Sequence, residues 1–295
     1  FGLMEPEEPS IYSYFTDALY DQVINDLKEE YGYNDEEATS FLVNSGLTIH
    51  ATIDPEIQSI MDENFKKDNL FPPQSSVAKQ ASKAISKEKG EEINYTPEGA
   101  MVVIENETGH VAGIAGGRNK DKSSSLNRAK MPFQPGSATK PITIYAPGID
   151  AKKITLGTTY DDVPIVGPNG WKPGNAGGGS SGMTTVRRGL FKSLNVIAAQ
   201  AWYDVGLETS VEYGEKFGLE FIKEGQNNDM NPAALSLGGY TYGQTPLAMA
   251  NAFSAFPRQG VRSEPTFYTK IEDADGNIIL EKKLECLKTN TYLTI

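Results

Sequence analysis

Cysteine, histidine and long apolar runs are all scarce in this chain of 295 residues. Cys286 is the single cysteine, which excludes an intrachain disulfide and a fold stapled by disulfides. The two histidines, His50 and His110, lie in alternating, strand-like stretches without a matching cluster of carboxylates or cysteines. This scarcity disfavours a Ser-His-Asp hydrolase and a zinc site. We expect neither a metal ion nor a cofactor.

Positive charge is in the minority as well. The chain has 39 acidic and 27 basic residues, which gives a formal net charge of −12. Such a surface repels polyanions, so neither nucleic acid nor an anionic membrane surface is a predicted partner. No run of about 18 apolar residues occurs, so no membrane-spanning helix is predicted within this sequence. A hydrophobic content of 38% still permits a large core, as one large domain with a smaller appendage.

A candidate nucleophile and base lie in residues 133–141, Phe-Gln-Pro-Gly-Ser-Ala-Thr-Lys-Pro. A Pro-Gly turn precedes Ser137, and Pro141 is tolerated only in the first turn of a helix, so a helix is predicted to begin near Ser137. The spacing then places Lys140 about one turn on, on the same face and within reach of the serine hydroxyl. The N–H groups at a helix N-terminus can also stabilise an oxyanion that develops there.

A second polar motif, Lys-Ser-Leu-Asn, occupies residues 192–195. It stands where one helical pattern gives way to another, so a loop there can direct Ser193 and Asn195 into a cleft. For Ser193 alone, a helix cap is the alternative.

Neither pattern is specific by itself. Ser-x-x-Lys recurs at Ser76 and at Ser86, within a polar stretch that predicts a solvated helix, and Ser-Leu-Asn recurs at residues 125–127. Only Ser137 has a predicted strand pair before it, a turn next to it and a second polar motif after it. We therefore interpret the other two Ser-x-x-Lys matches as decoys.

The order of these motifs resembles the transpeptidase part of the class A (bifunctional) penicillin-binding proteins. Residues 99–117 are similar to the family's first hairpin, and residues 126–129 resemble the Phe-Asn-Arg-Ala stretch that precedes the nucleophile. Residues 46–58 are similar to the segment that leads from the glycosyltransferase module into the transpeptidase. Further similar stretches follow in family order at residues 171–175, 182–187 and 237–250. The resemblance covers roughly residues 45–285, and the ordered set is more specific than any one motif.

The resemblance implies a serine D,D-transpeptidase that cross-links peptidoglycan and is acylated by β-lactams. Ser137 is the expected nucleophile, which attacks the penultimate D-Ala carbonyl of a pentapeptide stem. Lys140 is the expected base, with a pKa lowered by desolvation. Ser193 is expected to relay a proton to the leaving nitrogen, and Asn195 to hold the substrate backbone and Lys140.

Gly136 and Trp171 are predicted to bind substrate, with burial in the core as the alternative for Trp171. The Gly-rich stretch at residues 174–182 lacks the Gly-Lys-Ser/Thr ending of a P-loop, which favours a flexible rim near the cleft. The expected partners are peptidoglycan stem peptides and β-lactam antibiotics, the latter covalently bound at Ser137. The resemblance also implies a location at the extracytoplasmic face of the bacterial plasma membrane. The N-terminal anchor and a glycosyltransferase module are then expected upstream of Phe1.

Strand patterns at both ends, with helices between them, predict an α+β fold with an antiparallel sheet assembled from distant segments and flanked by helices. The resemblance implies the β-lactamase/transpeptidase-like form of this fold. Hairpins are predicted at residues 101–115 and 267–281. The predicted organisation is a linker module at residues 1–45, a joint strand and helices at 46–95, and the transpeptidase domain at 96–295.

Helix signals mark four further places. Amphipathic spacing predicts a helix around residues 19–27 and a shorter one from Asp35. Asp54 followed by a proline predicts a capped helix start, and Thr245 followed by a proline predicts another.

The third motif of the family, Lys-Thr/Ser-Gly, lies on an inner strand and is expected beyond Ile295. Residues 288–290, Lys-Thr-Asn, lack the glycine that lets substrate approach the strand closely, so we interpret them as a decoy. The C-terminal strands are therefore expected to be missing from this sequence, and a separate C-terminal fragment could carry the third motif.

Three other functions compete with the transpeptidase interpretation. A class A β-lactamase needs a water-activating Glu in a Glu-x-x-Leu-Asn pattern, and no such pattern follows Asn195. A D,D-carboxypeptidase shares the donor chemistry and differs only in the acceptor, so it stays open. A non-catalytic penicillin-binding scaffold would keep the fold, and a Ser137 that never acylates would favour it.

Overall fold

The structure, a computed structural model, describes residues 13–118, 120, 126–282 and 287–288. The helices are α1 Tyr14–Tyr31, α2 Asp35–Asn44, α3 Pro55–Phe65, α4 Ser76–Lys89, α5 Ala146–Asp150, α6 Val186–Phe191, α7 Asn195–Val205, α8 Leu207–Lys216, α9 Pro232–Leu237 and α10 Pro246–Ser254. The strands are β1 Thr48–Ala51, β2 Met101–Ile104, β3 Val111–Ala115, β4 Thr159–Asp162, β5 Gly182–Thr185, β6 Val261–Arg262, β7 Tyr268–Glu272, β8 Ile278–Glu281 and β9 Leu287–Lys288. None of the described helices is both long and apolar enough to cross a membrane.

Two compact units divide the described residues. The first draws on the described residues up to 103, on those between 111 and 130 and on 266–282, and the second on the remaining described stretches, of which 131–265 is the longest. Each unit buries an apolar core of its own. The domain boundaries placed from the sequence at residues 45 and 95 stay a prediction.

The first unit contains a three-stranded antiparallel sheet in the order β1-β7-β8. Val23 and Leu27 of α1 are fully buried together with Tyr268 and Ile271 of β7. His50 on β1 contacts Glu272 on β7, with 2.6 Å between Nε2 and Oε2. The prediction of an antiparallel sheet built from distant segments is confirmed.

Local sequence signals set several helix starts. Asp54 caps α3, because its Oδ1 accepts from the N–H groups of Glu56 and Ile57 at 2.9 and 3.0 Å. Thr245 caps α10 by accepting from the N–H of Ala248 at 3.0 Å. Helices α1 and α2, and the two hairpins β2–β3 and β7–β8, also occupy their predicted places.

The second unit packs its helices around α7, whose apolar residues are buried almost throughout. Strands β4 and β5 pair in antiparallel register from Thr159 opposite Thr185 to Asp162 opposite Gly182. This strand pair was not predicted from the sequence. It leads directly into α6, because Thr185 at the end of β5 caps that helix.

The helix predicted at Ser137 forms, but it changes type along its length. It runs as a 3-10 turn over Gly136–Thr139, a π turn over Pro141–Tyr145 and then α5. Pro147 has no N–H and would crowd the carbonyl of Thr143 in a regular α-helix, and the wider π turn relieves this crowding. The Thr143 carbonyl instead accepts a hydrogen bond from the Ser210 hydroxyl at 2.7 Å.

Candidate active site

Lys140 lies at the centre of the candidate site and is 1% exposed. Its Nζ donates to the Ser193 carbonyl at 3.0 Å, to the Ser193 hydroxyl at 3.2 Å and to Asn195 Oδ1 at 2.7 Å. An ammonium has three N–H donors, so all of them are used. The fold thus brings three of the four predicted catalytic residues into direct contact, although Lys140 precedes the other two by more than 50 residues.

The environment of Lys140 changes its acidity. Burial lowers the pKa of Lys140 from 10.5 to about 8, because removal from water disfavours the charged amine. The three surrounding oxygens favour the charged form and oppose this shift. Within the described part of the chain, no carboxylate forms an ion pair with Lys140. The amine therefore has a substantial neutral fraction just above neutral pH.

Ser137 lies in the first turn of the same irregular helix and is exposed. The backbone N–H of Lys140 donates to the Ser137 carbonyl, so both residues belong to one tight turn. Among the described residues, the Ser137 hydroxyl has no hydrogen-bond partner, and the Lys140 amine is directed to Ser193 and Asn195 instead. The serine hydroxyl is left open to a ligand.

The turn that carries Ser137 is held by the segment after α9. Gly136 has φ 53° and Gly238 has φ 74°, which are left-handed values that favour glycine. A Cβ on Gly238 would lie 2.1 Å from the Gly136 carbonyl oxygen, whereas one on Gly136 would meet nothing within 4 Å. Tyr240 forms a hydrogen bond with Thr139, and burial raises the pKa of its hydroxyl to about 12. Position 136 thus requires glycine for its backbone angle. Position 238 requires glycine both for its backbone angle and for its close approach to Gly136.

Ser193 has a strained backbone, with φ 53°. It ends α6 in a Schellman motif, since its N–H bonds to the Leu190 carbonyl at 3.0 Å and the Leu194 N–H bonds to the Gly189 carbonyl at 2.9 Å. Glycine is usual at this position, and another residue there costs about 1–2 kcal/mol. Strain of this kind is concentrated at functional sites. Here it directs both the carbonyl and the hydroxyl of Ser193 to Lys140, so the hydroxyl does not cap a helix.

Asn195 is the first residue of α7, and its carboxamide is held from both ends. Nδ2 donates to the Gly174 carbonyl at 2.7 Å, while Oδ1 accepts from Lys140. Its backbone N–H donates to Asn175 Oδ1 at 2.8 Å. Asn175 was not predicted as a site residue, although it lies in the family-like segment 171–175. Its position inside that segment is the one feature of the sequence that could have identified Asn175 as a site residue.

Trp171 is half-buried four residues before Asn175. Its carbonyl accepts from the Gly167 N–H at 2.7 Å, and a Cβ on Gly167 would lie 3.2 Å from Trp171 Cε3. Trp171 therefore packs on its own loop and has no hydrogen bond to Lys140, Ser193 or Asn195 among the described residues. A contact of Trp171 or of Gly136 with substrate stays a prediction.

This chain is similar to known proteins along most of its length. Residues 99–291 match the family model described as the penicillin binding protein transpeptidase domain. Penicillin-binding protein 1A of Clostridium acetobutylicum is 35% identical over 295 residues, which cover 94% of this chain and 34% of that protein. Penicillin-binding protein 1A of Clostridium botulinum is 33% identical over 298 residues, with 96% and 34% covered. The chain thus spans about a third of the length of these curated relatives.

Solved structures show the same fold at low identity. The PonA1 protein of Mycobacterium tuberculosis, solved in complex with penicillin V, is similar with a TM-score of 0.65 and 21% identity, over 90% of this chain and 65% of that one. Penicillin-binding protein 1A of Haemophilus influenzae is similar with a TM-score of 0.65 and 19% identity, over 94% and 52%. The predicted β-lactamase/transpeptidase-like α+β fold is confirmed.

Proposed function

This chain belongs to the class A penicillin-binding proteins, in the transpeptidase domain family, and we propose that it carries out acyl transfer in peptidoglycan cross-linking. Ser137 forms an ester with the penultimate D-Ala of a pentapeptide stem and releases the terminal D-Ala. An amino group of a neighbouring stem then takes over the acyl group. Family membership supports the reaction class, and the residues around Lys140 support the individual steps.

The observation that carries the proposal is the buried Lys140. Desolvation lowers its pKa to about 8, and Ser193 and Asn195 hold its amine at 2.7–3.2 Å, one turn after the exposed Ser137. A lysine in the core of a protein would otherwise be an unfavourable choice, because burial of an unpaired cation is strongly disfavoured. A base that must accept a proton near neutral pH requires such an environment.

Acylation starts with neutral Lys140. Its amine accepts the hydroxyl proton of Ser137 as Oγ attacks the substrate carbonyl, which gives a tetrahedral oxyanion and a protonated lysine. The Ser137 backbone N–H, at the start of the helix, donates to that oxyanion. Deprotonation removes one of the three hydrogen bonds that the Lys140 ammonium donates, and the nitrogen lone pair must then turn to the Ser137 hydroxyl.

Collapse of the tetrahedral intermediate breaks the bond to the leaving nitrogen, which must gain a proton. The Ser193 hydroxyl, 3.2 Å from Lys140 Nζ, donates its proton to that nitrogen and receives one from Lys140. Lys140 is neutral again after this step. It can then accept a proton from the incoming amine, which attacks the ester, and return that proton to the Ser137 oxygen as the ester bond breaks.

A β-lactam follows the first half of this path. Attack by Ser137 opens the four-membered ring, and the leaving nitrogen stays attached to the acyl group. Because it does not diffuse away, it occupies the position that the acceptor amine needs, and the ester persists. β-Lactam binding to this chain is part of the proposal, supported by the relative that was solved with penicillin V.

Released D-Ala and cross-linked product distinguish the proposal from its alternatives. The full-length protein is incubated with a peptidoglycan fragment that carries pentapeptide stems, and the products are identified by mass spectrometry. Cross-linked dimers together with D-Ala support the transpeptidase, whereas D-Ala without dimers favours a D,D-carboxypeptidase. If the wild type forms neither D-Ala nor dimers, a non-catalytic scaffold is favoured. Ser137→Ala should abolish both products.

The second Ser-x-x-Lys sequence provides the matched control. Ser76 and Lys79 lie on α4 in an exposed part of the first unit. Ser76→Ala should leave both products unchanged, because the same spacing there is not combined with a buried amine.

We also propose that the parent protein works at the extracytoplasmic face of the plasma membrane and carries a glycosyltransferase module. Membership of the bifunctional class supports both points. Labelling of intact cells with a membrane-impermeant reagent tests the location, and a lipid II polymerisation assay on the full-length protein tests the second activity.

A further inference from the structure

Helix α7, which presents Asn195, has no cap from its own sequence. The residue before it, Leu194, has no side-chain acceptor, although the first N–H groups of a helix require partners. Asn175 supplies the cap from 20 residues away. Its Oδ1 accepts from the N–H of Asn195 at 2.8 Å and from that of Val196 at 3.3 Å.

The orientation of the Asn175 carboxamide is set by a buried carboxylate. Asp162, the last residue of β4, is 0% exposed, and its oxygens accept from Asn175 Nδ2 at 2.9 and 3.1 Å. The Ser181 N–H donates to the same carboxylate at 2.9 Å. A carboxylate binds only donors, so it holds Nδ2 on its own side and leaves Oδ1 directed to α7.

Residues 174 and 175 therefore hold Asn195 at two points. The Gly174 carbonyl fixes the Asn195 side chain through Nδ2, and Asn175 fixes the Asn195 backbone. Together they leave the Asn195 Oδ1 directed to the amine of Lys140 at 2.7 Å. A continuous set of hydrogen bonds thus connects buried Asp162 with the candidate base.

We propose that Asn175 is a positioning residue for acyl transfer and that Asp162 orients it. Asn175 does not touch the reacting atoms. It acts through Asn195, whose place at the start of α7 determines where the Lys140 amine is held. This inference rests on the proposed function, since the reaction that it supports is acylation of Ser137.

An exchange of the two side chains tests the proposal. Asn175→Asp alone places two carboxylates face to face, and Asp162→Asn alone removes the charge that orients Asn175. Each single variant should slow acylation by about tenfold or more, because small displacements at a reacting site have large effects. The double variant D162N/N175D keeps the net charge and the hydrogen bonds that link position 162, position 175 and α7, and it loses only the 3.3 Å hydrogen bond from Asn175 Nδ2 to the Gly179 carbonyl. Its carboxylate at position 175 accepts from α7 and from the amide at position 162, whose oxygen in turn accepts from the Ser181 N–H.

The measured quantity is the second-order rate constant of acylation by fluorescent penicillin V, with the full-length protein. The double variant should return to within about twofold of the wild type, because the one lost hydrogen bond, to the Gly179 carbonyl, is long and exposed. A double variant as slow as the two single effects combined would overturn the proposal. Single variants that react at the wild-type rate would overturn it equally.

Loss of a helix cap elsewhere in the second unit is the control for general destabilisation. Thr245→Ala removes the hydrogen bond that caps α10. It should lower the melting temperature, as Asn175→Ala should, but leave the acylation rate constant unchanged. If the two variants slow acylation alike, the effect of Asn175 is general stability and the proposal is wrong.

Amide hydrogen exchange separates this proposal from the proposed function. Asn175→Ala should accelerate exchange at the N–H groups of Asn195 and Val196, and Thr245→Ala should not. Unchanged exchange at these two groups contradicts the positioning role, whatever the acylation result. A wild type that penicillin V does not acylate contradicts the proposed function, whatever the exchange result.

Discussion

At the scale of single residues, Lys140 combines two opposed influences. Burial favours its neutral form, and three acceptor oxygens favour its charged form. Desolvation lowers the pKa of Lys140 to about 8. An amine of this kind changes protonation state close to neutral pH.

Acylation should therefore depend on pH in a definite direction. Because the neutral amine is the base, the acylation rate constant for penicillin V should rise with pH, with a midpoint near 8, and level off above it. Stopped-flow fluorescence between about pH 6 and pH 10 measures this profile. Lys140→Arg keeps the charge but cannot deprotonate, so it should stay unreactive throughout. A wild-type rate that is flat through pH 8 would contradict the role of Lys140.

Ser193 should show a conflict between stability and activity. Ser193→Gly removes the left-handed strain and should be more stable than Ser193→Ala by about 1 kcal/mol, since both lose the hydroxyl and only alanine keeps the strain. Both variants should acylate much more slowly than the wild type, because the proton relay is gone. Urea unfolding measures the difference in stability between the two variants, and acylation kinetics measure their loss of activity. A glycine variant that is no more stable than the alanine variant would show that the backbone of Ser193 is not strained.

At the scale of elements, the contact of α9 with the Ser137 turn is the tightest requirement. Gly238→Ala should be destabilising through its positive φ and should also displace Gly136, whose carbonyl oxygen would lie 2.1 Å from the new Cβ. Acylation should fall by about tenfold or more as Ser137 moves with this turn. Thermal melting and penicillin V acylation measure the two effects.

Gly90 provides the matched control, because it ends α4 with φ 70° and a Cβ there would meet nothing within 4 Å. Gly90→Ala should lower the free energy of unfolding by about 1–2 kcal/mol through its backbone angle alone, and it should keep the wild-type acylation rate. Equal acylation by the two alanine variants would show that the Gly238 contact does not position Ser137.

Local signals explain why most elements were predictable. Helices α3 and α10 begin with a cap and a proline, and hairpin β7–β8 turns at an Asp-Gly sequence. Strands β4 and β5 were missed because each is only four residues long, one begins with glycine, and their pairing spans a loop of polar and glycine residues. The π turn depends on Ser210 as well as on Pro147, and the sequence near Ser137 contains only the second of these.

The candidate site divides in the same way. Ser137, Lys140, Ser193 and Asn195 were predictable, since each stands in a short motif with its own spacing. Asp162 and Asn175 act through contacts across 13 and 20 residues. No local pattern specifies such contacts, so only the fold reveals them.

At the scale of the whole molecule, the residues of the candidate site all belong to the second unit, while the β1-β7-β8 sheet belongs to the first. Stability of the first unit therefore depends on other contacts. Gln58 of α3 is 4% exposed and bonds to both backbone groups of Ile114 on β3, at 3.0 and 3.1 Å.

Gln58→Leu should destabilise the protein without slowing its chemistry. It leaves the N–H and the carbonyl of Ile114 buried and unpaired. Each unpaired group should lower the free energy of unfolding by about 1–3 kcal/mol. The acylation rate constant of the folded protein should be unchanged, because no site residue lies in that unit. Chemical unfolding and acylation kinetics at one temperature test this. A slower reaction in fully folded protein would show that the first unit contributes to the site.

Acylation of Ser137 is the central claim, and intact-protein mass spectrometry with penicillin V tests it most directly. The full-length protein should gain the mass of one antibiotic molecule, and peptide mapping should place it on Ser137. Ser137→Ala should gain none. A wild type without an adduct, or an adduct that persists in Ser137→Ala, would contradict the claim.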